Sequence, residues 1–221
     1  MNLTLLIGNQ NYSSWSLRPW MLLRNLGLEF ATDKVQLDSP QFAAQVAAFS
    51  PAGRVPVLRD GELVIWDSLA ICEYACELAG RGWPRERAAR ARARALAAEM
   101  HSGFTELRSA WGMNSRARNR RTAMTPGLAA DIARIDAAWS ECRREHAAQG
   151  PWLFGADYTV ADAMFAPVVL RFNTYAARTD GVALSAAAAA YVTHVLLDPI
   201  LGEWMSAAEA EPWVLPHAEI G

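Results

Sequence analysis

S-P-A-G-R-V-P-V-L-R-D-G-E-L-V-I-W-D-S-L-A-I-C-E-Y, residues 50–74, decides the fold of this chain. Two apolar runs, Val55 to Arg59 and Glu62 to Trp66, flank Asp60-Gly61, and a D-G pair between such runs predicts a hairpin because a two-residue I′ turn needs φ > 0 at both positions. Pro56 heads the first strand, where a residue without an N–H belongs at an edge, and such a proline is a candidate for a cis peptide. That geometry turns the Val55 backbone outward, leaving its N–H and C=O free for an extended peptide lying alongside. After the second strand, Asp67-Ser68 opens a helical pattern through Leu69, Ile71, Cys72, Ala75, Cys76, Leu78 and Ala79. Ser68 and the first N–H groups of that helix suit a carboxylate at the positive end of the dipole, and Asp67 suits an ammonium. A ligand carrying both groups, the amino-acid head of a short peptide, fits the pair.

The V-P-V-L loop, the D-G turn, the apolar strand and the acid-serine pair together resemble the peptide-binding half of the cytosolic glutathione S-transferases. The resemblance implies that the Val55 backbone pairs with the cysteinyl unit of glutathione, with Arg54 beside it, and that Asp67 and Ser68 take the γ-glutamyl head. It recurs in the second half: Gly155, Thr159, Ala161 and Asp162 stand in the family's G-x-x-x-[ST]-x-A-D pattern. Thr159 and Asp162 have the spacing of a capping box, a structural rather than chemical device.

Outward from the hairpin, Leu3 to Ile7 is a short apolar run that predicts a doubly buried strand. N-Q-N-Y-S-S-W-S-L-R-P-W follows. Pro19 is tolerated in a first helical turn, which predicts a late helix start with Ser13 and Ser14 at or before the N-terminus and Ser16 as N-cap. Glu29 to Gln36 predicts a second strand and Pro40 to Phe49 a short second helix. Strand, helix, strand, helix, strand, strand, helix is the order of a thioredoxin-like α/β unit. Residues 1–80 are expected to form it, 81–88 (with Gly80 to Pro84 as the break) to be a linker, and 89–221 an all-α C-terminal domain, alanines 186–190 included.

A thiol attacks electrophiles as thiolate, so the site needs a donor aimed at sulfur near a helix N-terminus. Ser13 and Ser14 offer this. In the serine-type subgroups the resemblance implies a serine five positions before an arginine; counted back from Arg18 that is Ser13, with Ser14 second and Tyr12 third. The alternative that these serines only cap a helix stays open. Met100, Phe104, Arg108 and Trp111 lie along one helical stripe that, by resemblance, borders the second-substrate pocket; the same stripe also reads as ordinary core. His101 reads as an interior histidine, and Arg171 and Tyr175 as further residues able to face the cleft.

With 221 residues, 52% of them hydrophobic, the chain has ample material for a packed core. A formal net charge of −2 without basic blocks gives no support for nucleic acid as partner. No run approaches a membrane span, and Met1 to Ile7 is too short for a signal peptide, so a cytoplasmic location is expected. Cys72, Cys76 and Cys142 fit neither a disulfide framework nor a metal site. The expected activity is conjugation of reduced glutathione, as co-substrate and without metal, to hydrophobic electrophiles by a homodimer. A glutathione-dependent isomerase of the maleylacetoacetate type and a non-catalytic glutathione-binding module are the alternatives. Trp15 and Asn173 stand where the isomerases carry cysteine and arginine.

Overall fold

A computed structural model describes residues 2–221; Met1, the start of the first apolar run, lies outside them. Strand β1 (Leu3–Ile7) occupies an inner position of a four-stranded sheet ordered β2-β1-β3-β4. It runs parallel to β2 (Phe30–Lys34) and antiparallel to β3 (Val57–Asp60), which pairs antiparallel with β4 (Leu63–Trp66). The β1–β2 crossover is helix α1 (Ser14–Asn25), as a parallel pair requires. Helix α2 (Phe42–Ala47) leads toward β3, and α3 (Ser68–Ala79) follows β4.

Alternation along β1 sends its side chains to two cores. Leu3, Leu5 and Ile7 join the main core with α1 and α3, while Leu6 meets Val35, Val46 and Val57 on the other face, where Phe42 and Phe49 cover them. That burial on both faces is why Leu3, Leu5, Leu6 and Ile7 are all apolar, with only the half-buried Thr4 between them polar.

Two local expectations shift. Asp60 pairs with Leu63, so the hairpin loop is Gly61-Glu62 rather than Asp60-Gly61. Gly61 has φ of +58°, and Glu62 is not among the positive-φ residues. A left-handed residue at the first loop position alone is the II′ pattern, which puts glycine first. Helix α1 begins at Ser14, not late: Ser13 is the N-cap and accepts from the Ser16 N–H, and Pro19 sits inside the helix. The cap at Ser13 fixes the start, and Pro19 is accommodated in the second turn at the loss of one helical N–H.

The second half is helical: α4 (Arg87–Ser102), α5 (Thr105–Ala110), α6 (Pro126–His146), α7 (Val160–Tyr175), α8 (Ala186–Leu196) and α9 (Pro199–Glu209). The alanine run opens α8, capped by Ser185. Helix α7 is buried on almost every face, which its apolar composition permits. Its one early charge, Asp162, is wholly enclosed: the carboxylate accepts from the Leu153 and Thr159 N–H groups and from the Thr159 and Tyr191 hydroxyls, at 2.7–3.1 Å. The capping box is formed. Helix α7 packs on both α1 and α4, so a single apolar core runs through both halves of the chain.

Across that junction the second half grips the loop after β1. The Trp204 indole N–H donates to the Gln10 carbonyl at 2.8 Å, and Glu211 accepts from the Gln10 and Asn11 N–H groups at 2.8 and 3.2 Å. Asn11 in turn accepts from the backbone of Ser115 and Arg116. The serine-bearing turn is therefore fixed from outside its own half. No helix among the described residues is long and apolar enough to cross a membrane.

Candidate active site

Two clefts of about 570 and 550 Å³ meet between the halves, and Trp15, Arg54, Val55 and Arg108 line both. Each is in the size range of small-ligand sites.

The second cleft carries the hairpin features. The Val55-Pro56 peptide is cis, and the Val55 N–H and C=O take part in no backbone pairing among the described residues. Asp67 and Ser68 lie across from it. Asp67 holds φ of +75° and caps α3, its Oδ1 accepting from the Leu69 and Ala70 N–H groups at 2.8 and 3.2 Å. Its other oxygen lies 3.2 Å from His101 Nε2 on α4. The Ser68 hydroxyl is buried with no partner among the described residues. An unpaired buried hydroxyl costs about 1–3 kcal/mol unless something bonds it, so this one is an argument for a polar ligand at the start of α3.

The first cleft carries the serines. Tyr12, Ser13, Ser14 and Trp15 form one wall; Thr105, Arg108 and Ser109 of α5, Met113 and Arg171 of α7 form the other. Ser13 Oγ lies 2.8 Å from Ser16 Oγ, which accepts from the Gly8 N–H at 3.1 Å. Ser14 is the first residue of α1. Tyr12 is tied down instead, its hydroxyl donating to Glu219 and accepting from Arg116.

Trp15 is the hub of the site. The Arg18 and Arg108 guanidinium carbons lie 4.2 and 4.6 Å from its ring centroid, and His101 meets it edge-on at 5.3 Å. Burial, and then the charges of Arg171 and Arg108, lower the Arg18 guanidinium to about 9. Burial and then Arg108 lower Arg171 to about 10. Both remain cations at neutral pH.

Of the residues singled out from sequence, Ser13, Ser14, Arg54, Val55, Asp67, Ser68 and Arg108 converge on the two clefts. Met100, Phe104 and Trp111 do not; they are buried in the main core and line neither. Arg171 faces the first cleft, whereas Tyr175 stacks on Trp111 and donates to the Gly112 carbonyl. Sequence reasoning missed Trp15, Thr105, Ser109 and Met113. Only Trp15 had a signal, its place between the two helix-opening serines and Ser16.

A thioredoxin-like α/β half carrying the unpaired Val55 edge is thus joined to a helical half, and the two clefts open between them. The family model for the glutathione S-transferase N-terminal domain matches residues 12–78, and that for the glutathione S-transferase C-terminal domain matches residues 125–207. The chain belongs to the glutathione S-transferase family. A probable glutathione S-transferase of Oryza sativa subsp. japonica is 55% identical over 29 residues, which is 13% of this chain and only 14% of that protein. Among solved structures, a glutathione transferase homolog from Burkholderia GL BGR1 with bound glutathione is 22% identical, covering 96% of this chain and 100% of that one with a TM-score of 0.71. The Tau class enzyme of mango, Mangifera indica, is 18% identical over 94% of this chain and 96% of its own, with a TM-score of 0.68. Glutathione transferase Omega 2S from Trametes versicolor is 17% identical, covering 99% of each chain with a TM-score of 0.68. At these identities the structures share the fold.

Proposed function

We propose that this chain conjugates reduced glutathione to an electrophile through a thiolate held by Ser13. The observation that carries the reading is the convergence of an unpaired backbone edge at Val55, an acid-serine pair at Asp67-Ser68 and a serine-capped helix N-terminus on two adjoining clefts. Val55 pairs with the cysteinyl backbone, and Arg54 lies along the same edge. Ser68 and the α3 N-terminus take the γ-glutamyl carboxylate, and Asp67, oriented by His101, takes the ammonium.

The sulfur then falls near Ser13. The Ser13 hydroxyl donates to Ser16 Oγ at 2.8 Å, and since a hydroxyl carries one hydrogen, serving the sulfur means turning that hydrogen from Ser16 to the thiolate. After that turn Ser13 Oγ still accepts from the Ser16 N–H and Ser16 Oγ still accepts from the Gly8 N–H, so neither hydroxyl is left without a partner. Lowering a thiol by two pKa units requires about 2.7 kcal/mol. A charge-assisted hydrogen bond supplies about 1.5–3 kcal/mol and the α1 dipole about 0.3–1. Together they suffice for a largely ionised thiol at neutral pH. Ser14 is a second hydroxyl at the same helix end.

The proposal assigns residues 1–80 to the glutathione half, 81–88 to the connection and 89–221 to the second-substrate half. A cytoplasmic location, a two-fold homodimer and a detoxifying role are part of the same proposal and rest on the family resemblance.

The test combines retention on immobilised glutathione with a conjugation assay on a panel of halogenated aromatics, enones, isothiocyanates and hydroperoxides. Retention without product identifies a binding module, and the absence of both retention and product rejects the reading. Ser13→Ala is expected to lower kcat/KM about a hundredfold, the scale of losing one donor to a developing anion, and Ser14→Ala much less. Full turnover in Ser13→Ala overturns the assignment of the hydroxyl.

A further inference from the structure

Positive charge is concentrated on the first cleft without acidic partners. Arg54, Arg108 and Arg171 line it, and no aspartate or glutamate does. Arg171 is 4% exposed; its Nε donates to the Trp111 carbonyl at 2.7 Å, and its Nη1 is buried without a partner among the described residues. Arg108 reaches the Gly103 carbonyl only at 3.4 Å. Behind them Arg18, 1% exposed, leaves Nε and Nη1 unpaired. Neither Arg18, Arg108 nor Arg171 forms an ion pair among the described residues.

Burying like charges side by side is unfavourable unless an anion joins them. Two nearby carboxylates are already engaged: Asp67, in the other cleft, by the α3 N-terminus and His101, and Glu219 by Tyr12, Asn114 and Arg120. A solvent-facing cleft whose cations lack a protein counterion is therefore built to receive that counterion with the ligand. Guanidinium is the group suited to it, because its planar fork matches a carboxylate through two parallel hydrogen bonds.

Glutathione brings carboxylates of its own, yet position separates them from this demand. Its head group is assigned to Ser68, and Arg54 is exposed beside Val55 on the peptide edge. Arg171 stands on α7 and lines only the first cleft, where Thr105, Ser109 and Met113 of the helical half face the serines. Trp15, Phe42 and Leu37 supply apolar surface in the same cleft.

We propose, resting on the conjugation reading above, that the second substrate is an electrophile with an aromatic body and a carboxylate of its own, the carboxylate being held by Arg171 and Arg108. With a chloroarene acid the thiolate of glutathione attacks the chlorine-bearing ring carbon, a C–S bond forms, the C–Cl bond breaks, chloride departs, and the carboxylate is unchanged. Arg171 and Arg108 place that ring with its reactive carbon toward Ser13.

The test is calorimetric titration with two unreactive probes, 4-nitrobenzoate and its methyl ester, with and without saturating S-methylglutathione. With S-methylglutathione bound, the acid is expected to bind at least tenfold more tightly than the ester. Arg108→Gln is expected to bring that ratio toward one and Arg108→Lys to retain part of it. Arg171→Gln should do the same; because Arg171 is buried, the half-buried Arg108 supplies the decisive variant if Arg171→Gln does not fold. Equal affinity for acid and ester, or a ratio untouched by Arg108→Gln, overturns the proposal. So does an acid that S-methylglutathione displaces, since the arginines then serve the peptide's own carboxylates. An Arg108-dependent preference for the acid in a protein that gives no heat with S-methylglutathione upholds the anion site and rejects the glutathione reading instead.

Discussion

The two sides of the cleft are built in opposite ways. The peptide side comes from one continuous stretch in which Val55, Asp67 and Ser68 are brought together by a hairpin and a helix start. The facing side sets Arg108 of α5 and Arg171 of α7 opposite Trp15, with Arg18 of α1 behind, residues far apart in the chain that only tertiary packing assembles. The first is backbone chemistry with a local cause. The second is side-chain chemistry on a scaffold, and it fails when the scaffold does.

The largest expected effect tests that dependence. Asp162→Ala deprives two buried N–H groups and two hydroxyls of their acceptor and should destabilise the fold by about 3 kcal/mol in urea unfolding. Since α7 carries Arg171, a partly folded Asp162→Ala protein should lose second-substrate turnover before it loses glutathione retention. The reverse order would break the comparison.

Asp67 offers a cut confined to the peptide side. Asparagine keeps a side-chain acceptor for the α3 cap and has the same shape as the aspartate already held at φ of +75° and ψ of 131°, so Asp67→Asn should leave the melting temperature nearly unchanged. Without the charge it should raise the KM for glutathione roughly ten- to a hundredfold, the scale of about 1.5–3 kcal/mol for one hydrogen bond to a charged group. Asp67→Ala removes the cap as well, and should lower both affinity and melting temperature.

Gly82 sits at the joint between the sides, where its carbonyl accepts from the Val160 N–H at 3.0 Å. Its φ is +119°, and a Cβ there would lie 2.4 Å from Cys76 Sγ. Gly82→Ala should therefore cost about 1–3 kcal/mol and weaken both functions in parallel. A variant that impairs one side alone would show that the joint is not shared.

The smallest effect is none. Burial drives the Cys72 thiol well above its ordinary range and raises Cys76 and Cys142 to about 12. A raised thiol pKa keeps the unreactive protonated form as pH rises, so iodoacetamide at about pH 8.5 should leave the native protein unmodified by mass spectrometry and label it only once unfolded. Labelling of native Cys76 would mean that the region beside Gly82 opens.

Legibility in the sequence follows the same division. The hairpin, the cis proline, the acid-serine pair and the capping box are short-range patterns, each with a fixed residue spacing, and the chain displays them openly. The turn came out one residue off because D-G fits two loop registers, and α1 began early because a Ser13 cap outweighs an internal proline. The facing wall was legible only in fragments. A stripe through Met100, Phe104, Arg108 and Trp111 states which helical face is apolar, not whether that face meets core or cavity. The chain breaks from helix at Gly103, and Phe104 follows with φ of +56°, so the residues on either side do not continue one helix. Three became core, and the charged member alone reached the cleft. No pattern in the chain announces that Arg18, Arg108 and Arg171 are neighbours.

Because α1 lies directly on α7 and Trp20 meets Trp204 edge-on at 5.2 Å, the boundary between the halves is a packed interior rather than a seam. Anyone assembling chimaeras from relatives of this chain should move the surfaces of α1 and α7 as one cassette. A crossover placed at the connecting segment alone would pair two mismatched apolar faces, and aggregation would be expected from it before any change of specificity.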